Sequence, residues 1–170
     1  MGKIIFLILV GLGAWWYQVG GRQLSDEQVR AFYQQQEAAF VGRLPEKLCD
    51  ALDDQFYVER QISSSDQSFL KNTNKSQICE EYKEMYKNID ALEKRNGVKL
   101  PIEYSYLIYK VEIAPDKKSA VVDIWYALDV ANSLINIRSR LTETLIRKNG
   151  KVKVVRSDGT MVYGRPDSKR

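Results

Sequence analysis

The sequence predicts an α+β fold in which helices come first and a meander of antiparallel strands follows. Three observations carry this. Helix start signals and helical spacing recur up to Asn96-Gly97, with one short strand and a polar stretch among them. Beyond Gly97 the composition turns aromatic and β-branched, as strands require. Turn signals then recur between long strand-like runs. Helices segregated from strands along a chain pack together on one face of the sheet.

The first helix opens at Leu24-Ser25-Asp26-Glu27-Gln28-Val29. Ser25 is the expected cap, Gln28 closes a capping box, and Leu24 staples against Val29. Asp26 and Glu27 suit the positive end of the helix dipole. Val29, Phe32, Tyr33 and Phe40 share one face, and Gly42 ends the helix. A second helix starts at Leu44-Pro45-Glu46, with Leu48, Cys49 and Leu52 on its apolar side. Phe56 to Ile62 reads as one short strand. Residues 63–77, SSSDQSFLKNTNKSQ, read as a loop. A third helix begins near Asn74 or Ser76, carries Ile78, Tyr82, Met85, Ile89 and Leu92 at helical spacing, and stops at Asn96-Gly97.

About four long strands then follow. The first is KLPIEYSYLIYKVEIA and the second SAVVDIWYALDV, with Pro115 to Lys118 as the turn between them. The third, LINIRSRLTETLIRK, sets Ile135, Ile137, Leu141 and Leu145 on one face. Asn149-Gly150 is a two-residue hairpin signal. The return strand is KVKVVRSDGTMVYG, in which Asp158-Gly159 marks a further turn.

The opening MGKIIFLILVGLGAWWYQVGGR governs compartment. Its apolar span, residues 4–21, is roughly the minimum for a bilayer-crossing helix. It ends in Trp15-Trp16-Tyr17, which suits a membrane interface and fits a cleavage site poorly. Residues 1–22 are therefore expected to be a retained single-pass anchor, with 23–164 as the exported domain and 165–170 as a flexible tail. The alternative is a cleaved signal peptide and a secreted domain. Lys3 and Arg22 flank the span on opposite sides and leave the orientation to the default, an amino terminus in the cytosol.

Composition excludes several chemistries. Hydrophobic residues make up 44% and aromatics 11%, too many for a disordered chain. The chain has no histidine, which removes Ser-His and Cys-His catalysis and imidazole metal ligation. Two cysteines alone do not make a structural zinc site, and no metal or cofactor is expected. In an exported domain Cys49 and Cys79 read as one disulfide; the alternative is two separate buried thiols.

On its element order and lengths over residues 24–164, the chain resembles the nuclear transport factor 2-like superfamily of cone-shaped α+β domains. The resemblance implies a pocket between concave sheet and helices. In that superfamily the pocket serves isomerases, dehydratases or ligand binding, and many members dimerise through the open sheet face. The layout of anchor plus domain is similar to the inner-membrane assembly component of type IV secretion systems.

Candidate pocket residues are Tyr57, Tyr104, Tyr106, Ser139 and Glu143. The tyrosines are hydrogen-bond donors, and Ser139 and Glu143 share the apolar parity of their strand, where a carboxylate has a raised pKa. Packing or solvation is the stronger account of each. Asp123 is expected on the outer face, and no catalytic residue is assigned. From Asn132 onward the chain carries ten basic and three acidic residues, against sixteen and nineteen before it. Arg138, Arg140, Lys151 and Lys153 are thus expected to form a basic interaction face. The leading expectation is a membrane-tethered periplasmic scaffold or assembly subunit that contacts other envelope proteins, and not nucleic acid. The alternatives are a binding module for a small apolar ligand and, further off, a pocket enzyme.

Overall fold

Ser25 and Asn74 fix where the two main helices begin. Each side chain accepts from the backbone N–H three residues on, and Gln28 and Gln77 return the bond to the cap. The computed structural model describes residues 23–63, 67–130 and 135–164. The expected anchor and tail lie outside these residues. Among the described residues no helix is long and apolar enough to cross a membrane.

Helix α1 spans Asp26–Val41, α2 Pro45–Asp50 and α3 Lys75–Asn96. Gly97 closes α3 in the left-handed conformation, φ 69°, which a Cβ would disfavour. The strands are β1 Leu52–Ser63, β2 Ser68–Asn74, β3 Ile102–Ile113, β4 Ser119–Val130, β5 Ile135–Lys148 and β6 Lys151–Tyr163. They form one sheet in the order β2-β1-β6-β5-β4-β3. Every pairing is antiparallel except β1 with β6, which is parallel. That parallel pair brings the early chain beside its last strand.

Three expectations change. The polar stretch 63–77 is not simply a loop, because it contains β2, paired with β1 from Tyr57↔Asn74 to Ser63↔Ser68. An edge strand needs little apolar surface, and only Thr73 of β2 is buried, so periodicity is silent there. Strand β1 is long rather than short, and Leu52 opens it instead of completing α2. Its polar Asp53-Asp54-Gln55 accompanies a register shift between Leu52 and Tyr57. Finally, Asp158-Gly159 is not a turn, since β6 runs straight through it. Asn149-Gly150 does turn, with φ of 53° and 77° as an Asn-Gly hairpin requires.

The helices cover the concave face. One core cluster joins α1 to the strands through Val29, Phe32, Tyr33, Val58, Val122 and Leu141. A second joins the end of α1 to α2 and α3 through Ala39, Leu48, Tyr86 and Ile89. Leu24 is buried with Val29, as the staple predicts. Cys49 of α2 and Cys79 of α3 form a disulfide, Cα–Cα 5.4 Å. Arg43 ties the other end of α3 down: it donates to Glu93 at 2.6 Å and to the Leu100 carbonyl at 2.8 Å. The Arg43 hydrogen bond, with a second from the Leu100 N–H, holds the Glu93 carboxyl down at about 2.

Candidate functional site

Strand register decides which side chains meet on the concave face, because residues paired across strands point the same way. One row runs Val122, Glu143, Ser157, Val58, and the next runs Ile124, Leu141, Gly159, Arg60. Glu143 and Ser157 are direct partners, so Ser157 Oγ donates to Glu143 Oε1 at 3.2 Å. From α1, Tyr33 Oη donates to Oε2 at 2.8 Å. Burial raises the Glu143 pKa; the two hydrogen bonds and the Arg60 charge oppose that rise without cancelling it. Burial likewise raises Tyr33, helped by the Glu143 charge.

Glu143 lines a recess of about 50 Å3 between α1 and the sheet. The recess adjoins a larger cavity of about 380 Å3 under α3, and Phe40, Arg60, Tyr82, Tyr104 and Tyr126 line both. The aromatic walls are locked together. Tyr104 stacks on Phe40 at 4.7 Å and on Tyr126 at 5.9 Å, and Phe40 meets Tyr82 edge-on at 5.6 Å. The far wall is apolar, from Leu128, Ile135, Ile137 and Met161. Arg60 stands at the junction of recess and cavity. Its Nε is shut off from solvent with no hydrogen-bond partner, and it has no ion pair with a described residue. Burial pushes its pKa down, but the pull of Tyr126, Tyr82 and Glu143 outweighs this and the guanidinium stays charged.

The sequence-derived candidates divide. Tyr104 and Glu143 line the cavity system. Ser139 is buried on the same face, its Oγ without a partner. Tyr106 shares the inward parity but packs against Tyr33, centroids 6.0 Å apart, and lines neither part. Tyr57 is a correction: Phe56, Val58 and Ile62 take the buried parity of β1 and turn Tyr57 outward, where it is exposed. Asp123 faces outward as expected, accepting from Thr142 at 2.8 Å. Arg60, Tyr33, Tyr82, Tyr126 and Ser157 were not among the candidates. For Arg60 the available signal was its place on the Phe56-Val58 parity, an arginine where an aliphatic residue belongs.

The expected basic face does not form as one patch. Arg138 is paired with Asp129 at 2.8 Å. Lys151 and Lys153 pair with Asp50 of α2 at 2.8 and 3.7 Å. Arg140 aligns with Thr160 and Lys153 with Ile146, which sets the two pairs roughly 20 Å apart along β6. Arg140 lies over the Tyr109 ring, 5.2 Å from its centroid, on the convex face. There Leu107 is 52% and Tyr109 55% exposed.

The Glu143 environment gives a pH signature. A carboxyl whose folded pKa is raised supports folding below its unfolded pKa and loses that support as pH climbs through the folded value. Glu143→Gln removes this loss. Its melting temperature relative to the parent is expected to rise as pH climbs above the ordinary carboxyl range. Parallel melting curves would contradict the buried-carboxyl assignment.

No model of a known protein family matches the chain, and no curated protein matches it. Solved structures do. The chain is similar to a conserved protein from Planctomyces limnophilus, with TM-score 0.55 and 12% identity, over 81% of this chain and 96% of that one. It is similar to an NTF2-like protein from Cytophaga hutchinsonii, with TM-score 0.51 and 14% identity, over 81% and 98%. It is also similar to an NTF2-like protein of unknown function from Pseudomonas putida, with TM-score 0.52 and 11% identity, over 85% and 89%. At these identities the likeness is one of fold: the described domain has the NTF2-like fold.

Proposed function

We propose that residues 23–164 are a binding module for a small apolar ligand held in the cone cavity. What supports this reading is the cavity of about 380 Å3 walled by Tyr82, Tyr104, Tyr126 and aliphatic side chains, a size and lining typical of small-molecule sites. The geometry favours binding over catalysis. Both Glu143 oxygens are engaged by Tyr33 and Ser157, in a recess of about 50 Å3 with room for water and not for a substrate. The module is tethered by residues 4–21 in a bacterial inner membrane, with the domain in the periplasm. The Cys49–Cys79 bridge supports that placement, because disulfides persist in oxidising compartments. The test is equilibrium dialysis of the full chain against the uncharged probe 2-naphthylmethanol. Saturable binding is expected, with at least a tenfold loss in Ile137→Trp, which fills the cavity. Binding that survives the filled cavity would sink the proposal.

A second reading is a scaffold or assembly subunit of an envelope complex, such as a secretion system, that contacts its partners or a second copy through the convex sheet face. The observation in its favour is the exposed apolar pair Leu107 and Tyr109 beside Arg140, since contiguous exposed apolar surface marks interaction sites. Leu107→Asp with Tyr109→Asp is expected to reduce the solution mass of the chain or its partner co-purification. An unchanged mass together with unchanged co-purification would remove this reading.

A further inference from the structure

Arg60 is the feature of the fold that its packing does not explain. Arg60 is half-buried, and native proteins leave very few buried donors unsatisfied. Arg60 Nε is such a donor. Three carboxylates line the recess and cavity; two are committed, and the third, Glu84, is solvent-exposed and makes no ion pair with Arg60. Glu143 is held by Tyr33 and Ser157 and is not in ion-pair contact with Arg60. Glu81, at the cavity wall, is paired with Lys71 at 2.5 Å.

The groups around Arg60 are of one kind. Tyr82, Tyr104 and Tyr126 line the same space, and none of their hydroxyls bonds a described residue. Burial pushes the Tyr82 and Tyr104 pKa values up, so both remain protonated and able to donate. Gly159 is the cross-strand neighbour of Arg60, so no side chain of β6 stands directly beside the arginine. A guanidinium fork with phenol donors around it and no carboxylate in ion-pair contact is matched by a planar anionic acceptor. The apolar part of the lining, Leu128, Ile135, Ile137 and Met161, is matched by an apolar body.

We propose that the cavity takes a small apolar molecule bearing one carboxylate, and that Arg60 receives that carboxylate while Tyr82, Tyr104 and Tyr126 enclose its ring or chain. This rests on the binding-module reading above and names its ligand class. A monoanion is favoured over a phosphate because only one uncommitted cation lines the cavity among the described residues, Lys71 being tied to Glu81.

The test compares two probes of the same shape, 2-naphthoate and 2-naphthylmethanol, by equilibrium dialysis against the full chain, its Arg60→Gln variant and its Arg60→Lys variant. The parent chain is expected to bind naphthoate at least tenfold more tightly than the alcohol. Arg60→Gln is expected to abolish that preference, and Arg60→Lys to keep part of it. Equal affinities of the two probes for the parent chain would overturn the carboxylate assignment and leave the binding module standing. That comparison needs no variant, so a folding defect in Arg60→Gln does not blunt it. Binding of neither probe would overturn the binding module and this inference with it.

Discussion

Reducing the Cys49–Cys79 disulfide, or replacing both residues by serine, is expected to lower the unfolding free energy by about 3–4 kcal/mol. The bridge closes a loop with a sequence separation of 30, and chain-entropy reasoning assigns that much to a loop of this length. The loop contains all of β1 and β2, so the bridge restricts the unfolded chain across the segment with the least apolar content. It also holds α2 to α3 above the core formed by Leu48, Tyr86 and Ile89. Urea unfolding with and without reductant measures the effect. The midpoint is expected to fall on reduction, and an unchanged midpoint would mean that helix packing alone fixes α2 on α3.

Gly159→Ala is expected to be nearly as damaging, about 3 kcal/mol or more, from backbone strain and overpacking together. Gly159 has φ 152°, and a Cβ placed there would stand 2.2 Å from the Arg140 carbonyl oxygen and 3.0 Å from Leu141 Cα. Both are backbone atoms in the middle of a six-stranded sheet and have nowhere to go. Gly150→Ala is the control. Its φ is 77°, but no atom lies within 4 Å of the new Cβ, so only the left-handed backbone penalty of about 1 kcal/mol remains. Comparable losses for the two substitutions would contradict the close approach of β5 and β6 at Gly159.

These two cases also mark what a sequence reader can and cannot see. Both capping boxes were legible because their chemistry is local: a cap and a partner three residues away suffice. The inward parity of Ser139 and Glu143 was legible too, because β5 alternates cleanly between aliphatic and polar residues. Strand β2 was hidden, since an edge strand exposed on both sides needs no apolar pattern. Gly159 read as a turn residue because Asp-Gly has the same letters whether the chain reverses or two strands approach closely. The inward parity of Arg60 was legible, but its role was hidden for a non-local reason. Its role arises only when β1 pairs in parallel with β6, which sets it across from Gly159 and in the same cavity lining as Tyr82 of α3. The basic face failed for the same reason, since Asp50 and Asp129 reach Lys151 and Arg138 only after folding.

The central claim is that the concave cavity, and not the convex face, is the binding surface. Its most direct test is a titration of the full chain with 2-naphthoate, followed by NMR of ring-labelled tyrosines. Tyr82, Tyr104 and Tyr126 report from inside the cavity, while exposed Tyr57 and Tyr109 report from outside it. The account predicts saturable shifts at the first three and none at the last two. Shifts confined to Tyr57 and Tyr109, or absent from all five, would contradict it.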